Sequence, residues 1–508
     1  MDENMLRYRR QFLLSREIVP GLNNWNHLDL PNGCHLYAHQ DLNIAVKERN
    51  GTFIVLLGYL FDPVDDAKCN EDILKDIIEK AETFNCFVEA IKNFAGQYVF
   101  IFLNNNSFNV IHDPFALREV YYCTSINRII CGSQPNLLKE YSHPQINITS
   151  DRSIRYFHDH ELKGSRSGRF WIGDETYFEG IKHLLPNHYL DITNVIVKRY
   201  WPREMIATLD LEEVIQRSAL FLQGVLRAAS HRYELMMAVT GGMDSRTLLA
   251  ASRNIKDKIY YFINKHKTLN DRHPDIFVPS AIFKRIGLPF HIHEYDQHVD
   301  NKFAEIFLNN TFLSTDKLLP AIYNVYYKQH SNKLNILGVG EIGRTYLGDA
   351  PRRIDGFYLA RSLKFKKSLY AVEQCQKWQN HTLPAAKRYN VNIMTLLTWE
   401  QLEGNWGVVG NSESDIAIEE FDPFSSHYLY ETLIGIDKKY IKHDVGRIFK
   451  EMINFMWPEL LEFPINPPKN KNDHLFLIMK SLKLHTPIKK ILYKWDRLKY
   501  QVKKYRRQ

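Results

Sequence analysis

The octapeptide Val239-Thr240-Gly241-Gly242-Met243-Asp244-Ser245-Arg246 decides how this chain reads. Glu234-Leu235-Met236-Met237-Ala238 precedes it, short and apolar as a buried parallel strand is. Thr247-Leu248-Leu249-Ala250-Ala251-Ser252 follows and reads as the opening of a helix. A strand thus feeds a Gly-Gly turn, and the turn feeds a helix N-terminus. Free N–H groups and the positive end of the helix dipole then point at one spot, which suits an anion. Gly241 and Gly242 let the backbone approach closely, since no Cβ intervenes. Thr240 and Ser245 add hydroxyl donors. Asp244 repels a bare phosphate but suits one carrying Mg²⁺. The same pattern is also compatible with an ordinary strand–turn–helix.

These residues resemble the Ser-Gly-Gly-x-Asp-Ser pyrophosphate loop of the N-type ATP pyrophosphatases, which include asparagine synthetase, β-lactam synthetase and GMP synthetase. The Gly-x-x-x-x-Gly-Lys-Ser/Thr spacing of a Walker loop is missing. The resemblance implies ATP and Mg²⁺, with ATP cleaved to AMP and pyrophosphate and an acceptor carboxylate adenylated on the way. It places the phosphates on Thr240, Gly241, Gly242, Met243, Asp244 and Ser245. Arg246 replaces a frequent Ser and is expected to add positive charge near them.

The same resemblance extends to later segments. It implies adenine lying against Phe262-Ile263-Asn264. Leu337-Gly338-Val339-Gly340-Glu341-Ile342-Gly343-Arg344 looks like the family's Ser-Gly-Glu-Gly-Ala-Asp-Glu turn. Gly338 and Gly340 keep the Gly-x-Gly spacing, with Leu337 before them. Ile342 stands in place of the family's Asp, so Glu341 is the candidate second Mg²⁺ ligand beside Asp244. Arg344 is the candidate for neutralising phosphate charge. The alternative for Glu341 and Arg344 is a local ion pair on a loop. Glu420-Phe421-Asp422-Pro423-Phe424 resembles the family's Arg-x-Pro-Phe-Leu-Asp segment in part. Where the family has Lys-x-x-Leu-Arg, this chain has Gly446-Arg447-Ile448-Phe449-Lys450. Gly446 falls at the lysine, so Arg447 and Lys450 are the candidates to stabilise charge on the transferring phosphates.

At 508 residues the chain is too long for one core, and two domains are the default. Its 44% hydrophobic and 24% charged content are those of an ordinary soluble protein. No basic start is followed by an apolar run, so no signal peptide is expected. No long uncharged stretch is able to span a bilayer. Cys34, Cys69, Cys86, Cys123, Cys131 and Cys375 show no CxxC spacing, which argues against zinc or a disulfide framework and suits a reducing cytoplasm. The net charge of +8 belongs to the tail: from Lys480 onward eleven Lys or Arg face Asp496 alone, a balance of +10 that leaves −2 for the rest. Ile488, Ile491, Leu492, Trp495, Leu498 and Val502 recur there at helical spacing. This basic amphipathic helix either lies on an anionic membrane surface, holds a nucleic acid or an acidic partner, or, as favoured on the sequence, docks its apolar stripe on its own domain. No nucleic-acid recognition motif is present.

Residues 1–205 read as β-rich with one clear helix at Asp72–Lys80. Gly96–Leu103, the Asn-rich turn Asn104-Asn105-Asn106 and Phe108–Ile111 signal a hairpin. Asp113-Pro114-Phe115 with Tyr121-Tyr122 resembles the Arg-Asp-Pro-Phe-Gly-x-x-Pro-Leu-Tyr-Tyr of asparagine synthetase's glutaminase domain. Cys131–Leu138 resembles the strand and helix that follow, Glu179–Leu190 a Leu-Pro-Pro-Gly-His hairpin, and Arg199-Tyr200-Trp201 the end of that domain. The family's glutaminases use an N-terminal cysteine whose α-amine is the base. This chain opens Met1-Asp2-Glu3-Asn4 with no cysteine before Cys34, so glutaminase activity is not expected.

The expected fold is therefore α/β and α+β: an Ntn-type β-sandwich domain (1–205), a doubly wound parallel ATP-pyrophosphatase domain with a helical C-terminal part (206–470), and a basic tail (471–508). The expected activity is ATP-dependent amide formation. The carboxylate belongs to a small molecule or a glycan, and nitrogen comes from ammonia or an amine, in surface-glycan or specialised-metabolite biosynthesis. A non-catalytic nucleotide-binding or scaffold protein is the alternative. His291/His293/His298 and His158/His160 lack a third metal ligand and read as solvated or core histidines. No Gly-x-Ser-x-Gly elbow occurs.

Overall fold

Alternation dictates the first half of the chain. In Phe12–Ser15, Phe12 and Leu14 enter one apolar core while Leu13 enters another. In Ala95–Asn104, Val99, Ile101 and Leu103 face that same first core, and Tyr98, Phe100 and Phe102 the opposite side. Period-two patterns with both faces apolar belong to strands covered on both sides. The computed structural model describes residues 3–124, 128–142, 171–267, 269–314, 317–338, 354–365, 368–441, 444, 446–470, 473, 475, 478–479 and 485–505.

The strands of this half are β1 (Phe12–Ser15), β2 (Asn26–Asp29), β3 (His35–Ala38), β4 (Ile44–Arg49), β5 (Thr52–Phe61), β6 (Ala95–Asn104), β7 (Ser107–His112), β8 (Tyr121–Cys123), β9 (Ile129–Gly132), β10 (Ile181–His183), β11 (His188–Asp191) and β12 (Ile196–Arg199). They form two antiparallel sheets, ordered β10-β8-β9-β1-β3-β2 and β12-β11-β7-β6-β5-β4. Phe12, Leu14, Leu36, Val55, Leu57 and Ile101 fill the space between them. Helices Asn70–Lys80 and Phe84–Ile91 cover the outer face of the second sheet through Ile73, Leu74, Ile77, Phe87 and Val88. Helix Pro135–Tyr141 lays Leu137 and Leu138 in the core on the other side of the first sheet.

Two expectations are corrected here. Helix Phe84–Ile91 joins the one expected at Asp72–Lys80, while helix Pro135–Tyr141 forms in the segment whose resemblance implied it. The segment Glu179–Leu190 is not a hairpin: β10 pairs with β8 in one sheet and β11 with β7 and β12 in the other. The chain crosses between layers at Leu184 to Asn187, where both neighbouring strands find partners elsewhere.

The second half contains a parallel sheet of β13 (Glu234–Ala238), β14 (Ile259–Asn264), β15 (His291–His293), β16 (Lys333–Ile336) and β17 (Glu419–Phe421), ordered β15-β14-β13-β16-β17. The chain starts at the middle strand, runs out to one edge, then returns to build the other. Its topological switch point lies between β13 and β16. The helix before β13 spans Leu211–Arg232, capped by Asp210 accepting from the Glu213 N–H. Helix Pro274–Ile286 ends at Gly287 with φ +71°, the left-handed stop that glycine supplies at least cost.

The halves share a buried boundary. One apolar cluster runs from Leu13 and Tyr121 through Leu222 and Leu249 to Trp399 and Tyr430. A Cβ on Gly224 would lie 1.9 Å from the Pro63 carbonyl oxygen, so only glycine admits that approach of helix to loop. Asp113 of the Asp-Pro-Phe motif accepts the N–H groups of Phe115, Leu117 and Arg118, and Ser425 Oγ donates to it at 3.2 Å. Trp399 Nε1 donates to the Pro114 carbonyl at 2.6 Å. Among the described residues no helix is long and apolar enough to cross a membrane.

Candidate functional site

At the carboxyl end of β13 the chain leaves the sheet after Val239, whose N–H donates to Phe262 O at 2.9 Å. The turn that follows is held by its own side chains. Thr240 N–H donates to Ser245 Oγ at 3.2 Å, the two hydroxyls lie 3.1 Å apart, and Gly242 N–H donates to Thr240 Oγ1 at 3.1 Å. The helix Met243–Ala251 then starts from Gly242, and no side chain caps it. Its first turn therefore keeps the donor capacity and positive dipole end that an anion needs.

Two further elements converge on this turn. Leu337, just past β16, donates its N–H to Phe421 O at 2.8 Å, and Gly338 follows it. A Cβ on Gly338 would lie 3.5 Å from Ser245 N and 3.2 Å from Leu248 Cδ1. Gly338 therefore packs against the start of the helix, across the switch point. From the C-terminal side, Asn466 N–H donates to Gly241 O at 2.8 Å. A Cβ on Gly242 would point at Thr240 Oγ1, Asn466 Oδ1 and Ser245 Oγ, 3.1 to 3.9 Å away, so these three oxygens line one small hollow.

Residues outside the sequence motif complete the frame. Asp275, in the first turn of Pro274–Ile286, accepts the Gly241 N–H at 3.1 Å through Oδ1. Its other oxygen holds Lys469 Nζ at 2.6 Å. Asp275, Asn466 and Lys469 carry no spacing signal relative to the loop, because folding alone brings them there. The only local hints were Pro274-Asp275 as a helix start and Asn466-Pro467-Pro468 as a turn, where Asn466 takes a positive φ of 51°.

Arg246 corrects the reading that put its charge near the phosphates. It is wholly buried, and its guanidinium donates to the carbonyls of Leu460 (2.7 Å), Pro464 (3.3 Å) and Phe463 (3.4 Å). Desolvation alone lowers its pKa to about 10. Arg246 points backward from the loop and clamps the segment that leads to Asn466 and Lys469.

The other expected site residues fall in three groups. Phe262 and Ile263 sit in the middle of the parallel sheet, paired in register with Ala238, His291 and Ile292, and Phe262 O is engaged by Val239. Arg447 and Lys450 lie on helix Arg447–Met456, which begins at Gly446; a Cβ there would meet Met243 Cε at 3.4 Å. That places the helix start beside the loop. Lys450 Nζ pairs with Asp444 at 2.7 Å, and Arg447 lies 3.7 Å from Glu451. Gly340, Glu341 and Arg344 lie outside the described residues, as do His158 and His160.

The donor set fits a magnesium-bound phosphate: two hydroxyls, an uncapped helix start, and one carboxylate, Asp244, in its first turn. His291 and His293 are stacking groups on the same sheet. Tyr260 lies over His291 at 4.1 Å, and its hydroxyl meets His293 Nε2 at 2.8 Å. Burial together with His330 and His291 lowers His293 to about 4, which keeps it neutral. A separate cleft of about 890 Å³ lies between β10–β12 and helix Leu369–Arg388, lined in part by Lys182, His188, Lys377, Trp378 and Arg388, away from the loop.

No family model matches the chain, and no curated protein matches it. Two of the solved structures similar to it are described as glutamine phosphoribosylpyrophosphate amidotransferase from B. subtilis complexed with ADP and GMP, and as the structure of the allosteric regulatory enzyme of purine biosynthesis. Each is 9% identical and covers 73% of this chain and 74% of its own, with TM-scores of 0.22 and 0.23. At such TM-scores the likeness carries no weight, and the architecture stands on its own topology: two antiparallel sheets with flanking helices, followed by a parallel α/β sheet with its loop at the switch point.

Proposed function

We propose that this protein is an ATP-dependent, AMP-forming carbon–nitrogen ligase of the asparagine synthetase type, with an Ntn-type first domain that does not hydrolyse glutamine. The observation that carries the reading is the Thr240–Ser245 turn at the β13/β16 switch point, faced by Gly338. Ligands of open α/β sheets bind outside the carboxyl ends of strands at such a point.

In this reading Thr240, Gly241, Gly242 and Ser245 hold the pyrophosphate portion of ATP, and Asp244 holds Mg²⁺. Glu341, by sequence, is the second metal ligand. Mg²⁺ held by Asp244 would neutralise phosphate charge and so make pyrophosphate a better leaving group. A carboxylate oxygen of the acceptor attacks the α-phosphorus, the bond to the bridging oxygen breaks, and pyrophosphate departs. Ammonia or an amine then attacks the acyl carbon, loses a proton, and expels AMP. Asp275 and Asn466 position the loop by binding Gly241 from both sides. The altered Gly338–Arg344 sequence and Gly446 in place of the family's lysine support an acceptor other than aspartate.

The environment of the first domain's buried thiols supports the silent reading. Burial pushes Cys123 up to about 12, and raises Cys34 and Cys131 as well. Asp72, hydrogen-bonded to Cys69, raises that thiol. A nucleophilic thiol needs the opposite environment. Glutamate release from glutamine at background rate is the expected result.

The test of the main reading is calorimetric titration with Mg-ATP of the wild type and of Asp244→Ala. Micromolar to sub-millimolar binding that weakens in the variant supports the ligase, and a screen of carboxylates for AMP and pyrophosphate release follows. A folded wild type that binds no Mg-ATP favours the non-catalytic scaffold.

A further inference from the structure

The C-terminal helix His485–Tyr505 docks with the wrong face for a helix that merely closes its own domain. Its contacts with the body are polar and aromatic. Arg361 Nε meets Asp496 at 3.0 Å and Arg497 Nη2 meets Asp355 at 2.7 Å. Phe357 packs against Tyr500 at 4.9 Å and Tyr358 against Tyr493 at 5.9 Å. Positions 493, 496, 497 and 500 form one helical stripe. The apolar stripe expected to dock is on the other side: Ile491, Leu492, Trp495, Leu498 and Val502 are each 46 to 61% exposed. The favoured sequence reading of this tail is thereby overturned.

We infer that this exposed stripe is a membrane-surface anchor that docks on anionic lipid. The physical grounds are three. The apolar residues lie at spacings of four, three and four along Ile491, Trp495, Leu498 and Val502, which gives a continuous strip on one side of a helix. Trp495 is the residue type that settles at the headgroup boundary, and Lys499 lies over its ring at 5.1 Å. The tail carries +10 against −2 for the rest of the chain, so its attraction is to an anionic surface, whereas pairing two copies through this face would bring like charges together. The Asp355 and Arg361 contacts hold the strip outward, so binding needs no unfolding of the body.

The test is co-sedimentation of the full chain with vesicles of equal parts phosphatidylglycerol and phosphatidylcholine, and with phosphatidylcholine alone. Wild type is expected to pellet with the anionic vesicles, less at high salt, and far less with the neutral ones. The double variant Trp495→Glu/Leu498→Glu leaves the docking stripe intact and is expected to bind at least tenfold more weakly. Unchanged pelleting of the variant, or none by the wild type, overturns the inference. A wild-type dimer without vesicles that the variant dissolves also overturns it, in favour of self-association. Mg-ATP binding, measured in parallel, keeps this outcome separate from that of the ligase reading.

A different observation carries a second inference. At the β2–β3 hairpin, His27 and Asp29 are two apart on β2, and His35 lies opposite Asp29 on β3, so the three share one face. His27 Nε2, His35 Nδ1 and Asp29 Oδ1 lie 3.2, 2.7 and 3.3 Å from one another. In a tetrahedral shell with bonds of about 2.0–2.1 Å, ligand atoms sit about 3.3 Å apart. His27 is held by stacking on Tyr37 at 4.5 Å, 6° from parallel. The geometry points to a surface site for one Zn²⁺-class ion, with water in the remaining position. Cobalt(II) titration is expected to give a saturating tetrahedral absorption band at one equivalent. His35→Gln and Asp29→Asn are expected to weaken Zn²⁺ binding by on the order of 100-fold, since losing an outer-shell partner alone costs about 10–100-fold. No band, or equal affinity in both variants, overturns the assignment.

Discussion

The Gly241 N–H donates to Oδ1 of Asp275 at 3.1 Å, across 34 residues of sequence. This bond fastens the turn between β13 and its helix to the start of the next helix. The same carboxylate holds Lys469, so one acid ties the loop to two distant segments.

Asp275→Ala is expected to weaken Mg-ATP binding about tenfold, the equivalent of one lost hydrogen bond to a positioned backbone group. Thermal unfolding should move by only a few degrees, since Lys469 is half exposed and regains water. Calorimetry beside a melting curve checks both. Full-strength binding in the variant would show that Asp275 does not position the loop.

Gly338→Val tests the switch-point geometry. The first carbon of the new side chain already meets Leu248 Cδ1 at 3.2 Å, and its branches would cover the helix start at Ser245. The expected outcome is loss of nucleotide binding with a stability cost of about 1–3 kcal/mol, as for other overpacked sites. Circular dichroism confirms the fold, and titration reads the binding.

The boundary between the halves turns on Glu419. Arg10 Nε lies 3.4 Å from one of its oxygens and Arg118 Nη2 3.3 Å from the other. Glu419→Ala removes the acid that these two buried guanidinium groups share, leaving Asp415 as the acid that acts on both, and should cost about 3 kcal/mol. Arg118→Met leaves Arg10 as partner and should cost less. Urea denaturation of both variants orders them, and the reverse order would refute the shared-acid account.

Glu420 titrates far from its usual range. Burial pushes its carboxyl up from 4.5 to about 8, while Asn335 Nδ2 donates to it at 2.9 Å. The folded state thus keeps a proton that the unfolded chain releases above about pH 4.5. Its contribution is complete below that pH and declines as pH rises toward 8. Glu420→Gln removes this decline, which is at most about 1.4 kcal/mol per pH unit. Denaturation at pH 5.5 and pH 8 should show the variant gaining on wild type at the higher value; parallel curves would refute it.

Local pattern alone predicted β6, β7, β13, the helix over Asp72–Lys80 and the glycine turn at Thr240 to Ser245. Each of these is written in nearest neighbours along the chain: alternation, helical spacing, or paired glycines. What pattern could not decide was which groups meet. Arg246 reads as a phosphate ligand by its position in the loop, yet the helix it opens turns it onto the carbonyls of Leu460 to Pro464. Asp275 and Asn466 have no motif, yet they hold Gly241. The strands flanking Leu184 to Asn187 look like a hairpin until their partners in separate sheets are seen. The tail's period announced an amphipathic helix, but not which stripe would dock, because Tyr493, Tyr500 and the Asp355–Arg497 pair outweigh the aliphatic stripe only when helix Gly356–Ser362 lies beside it. Sequence by itself determined the local conformations and the chemistry on offer at the turn. Tertiary structure decided the partners, because a side chain's direction in space depends on how separate elements pack, and no local rule carries that information.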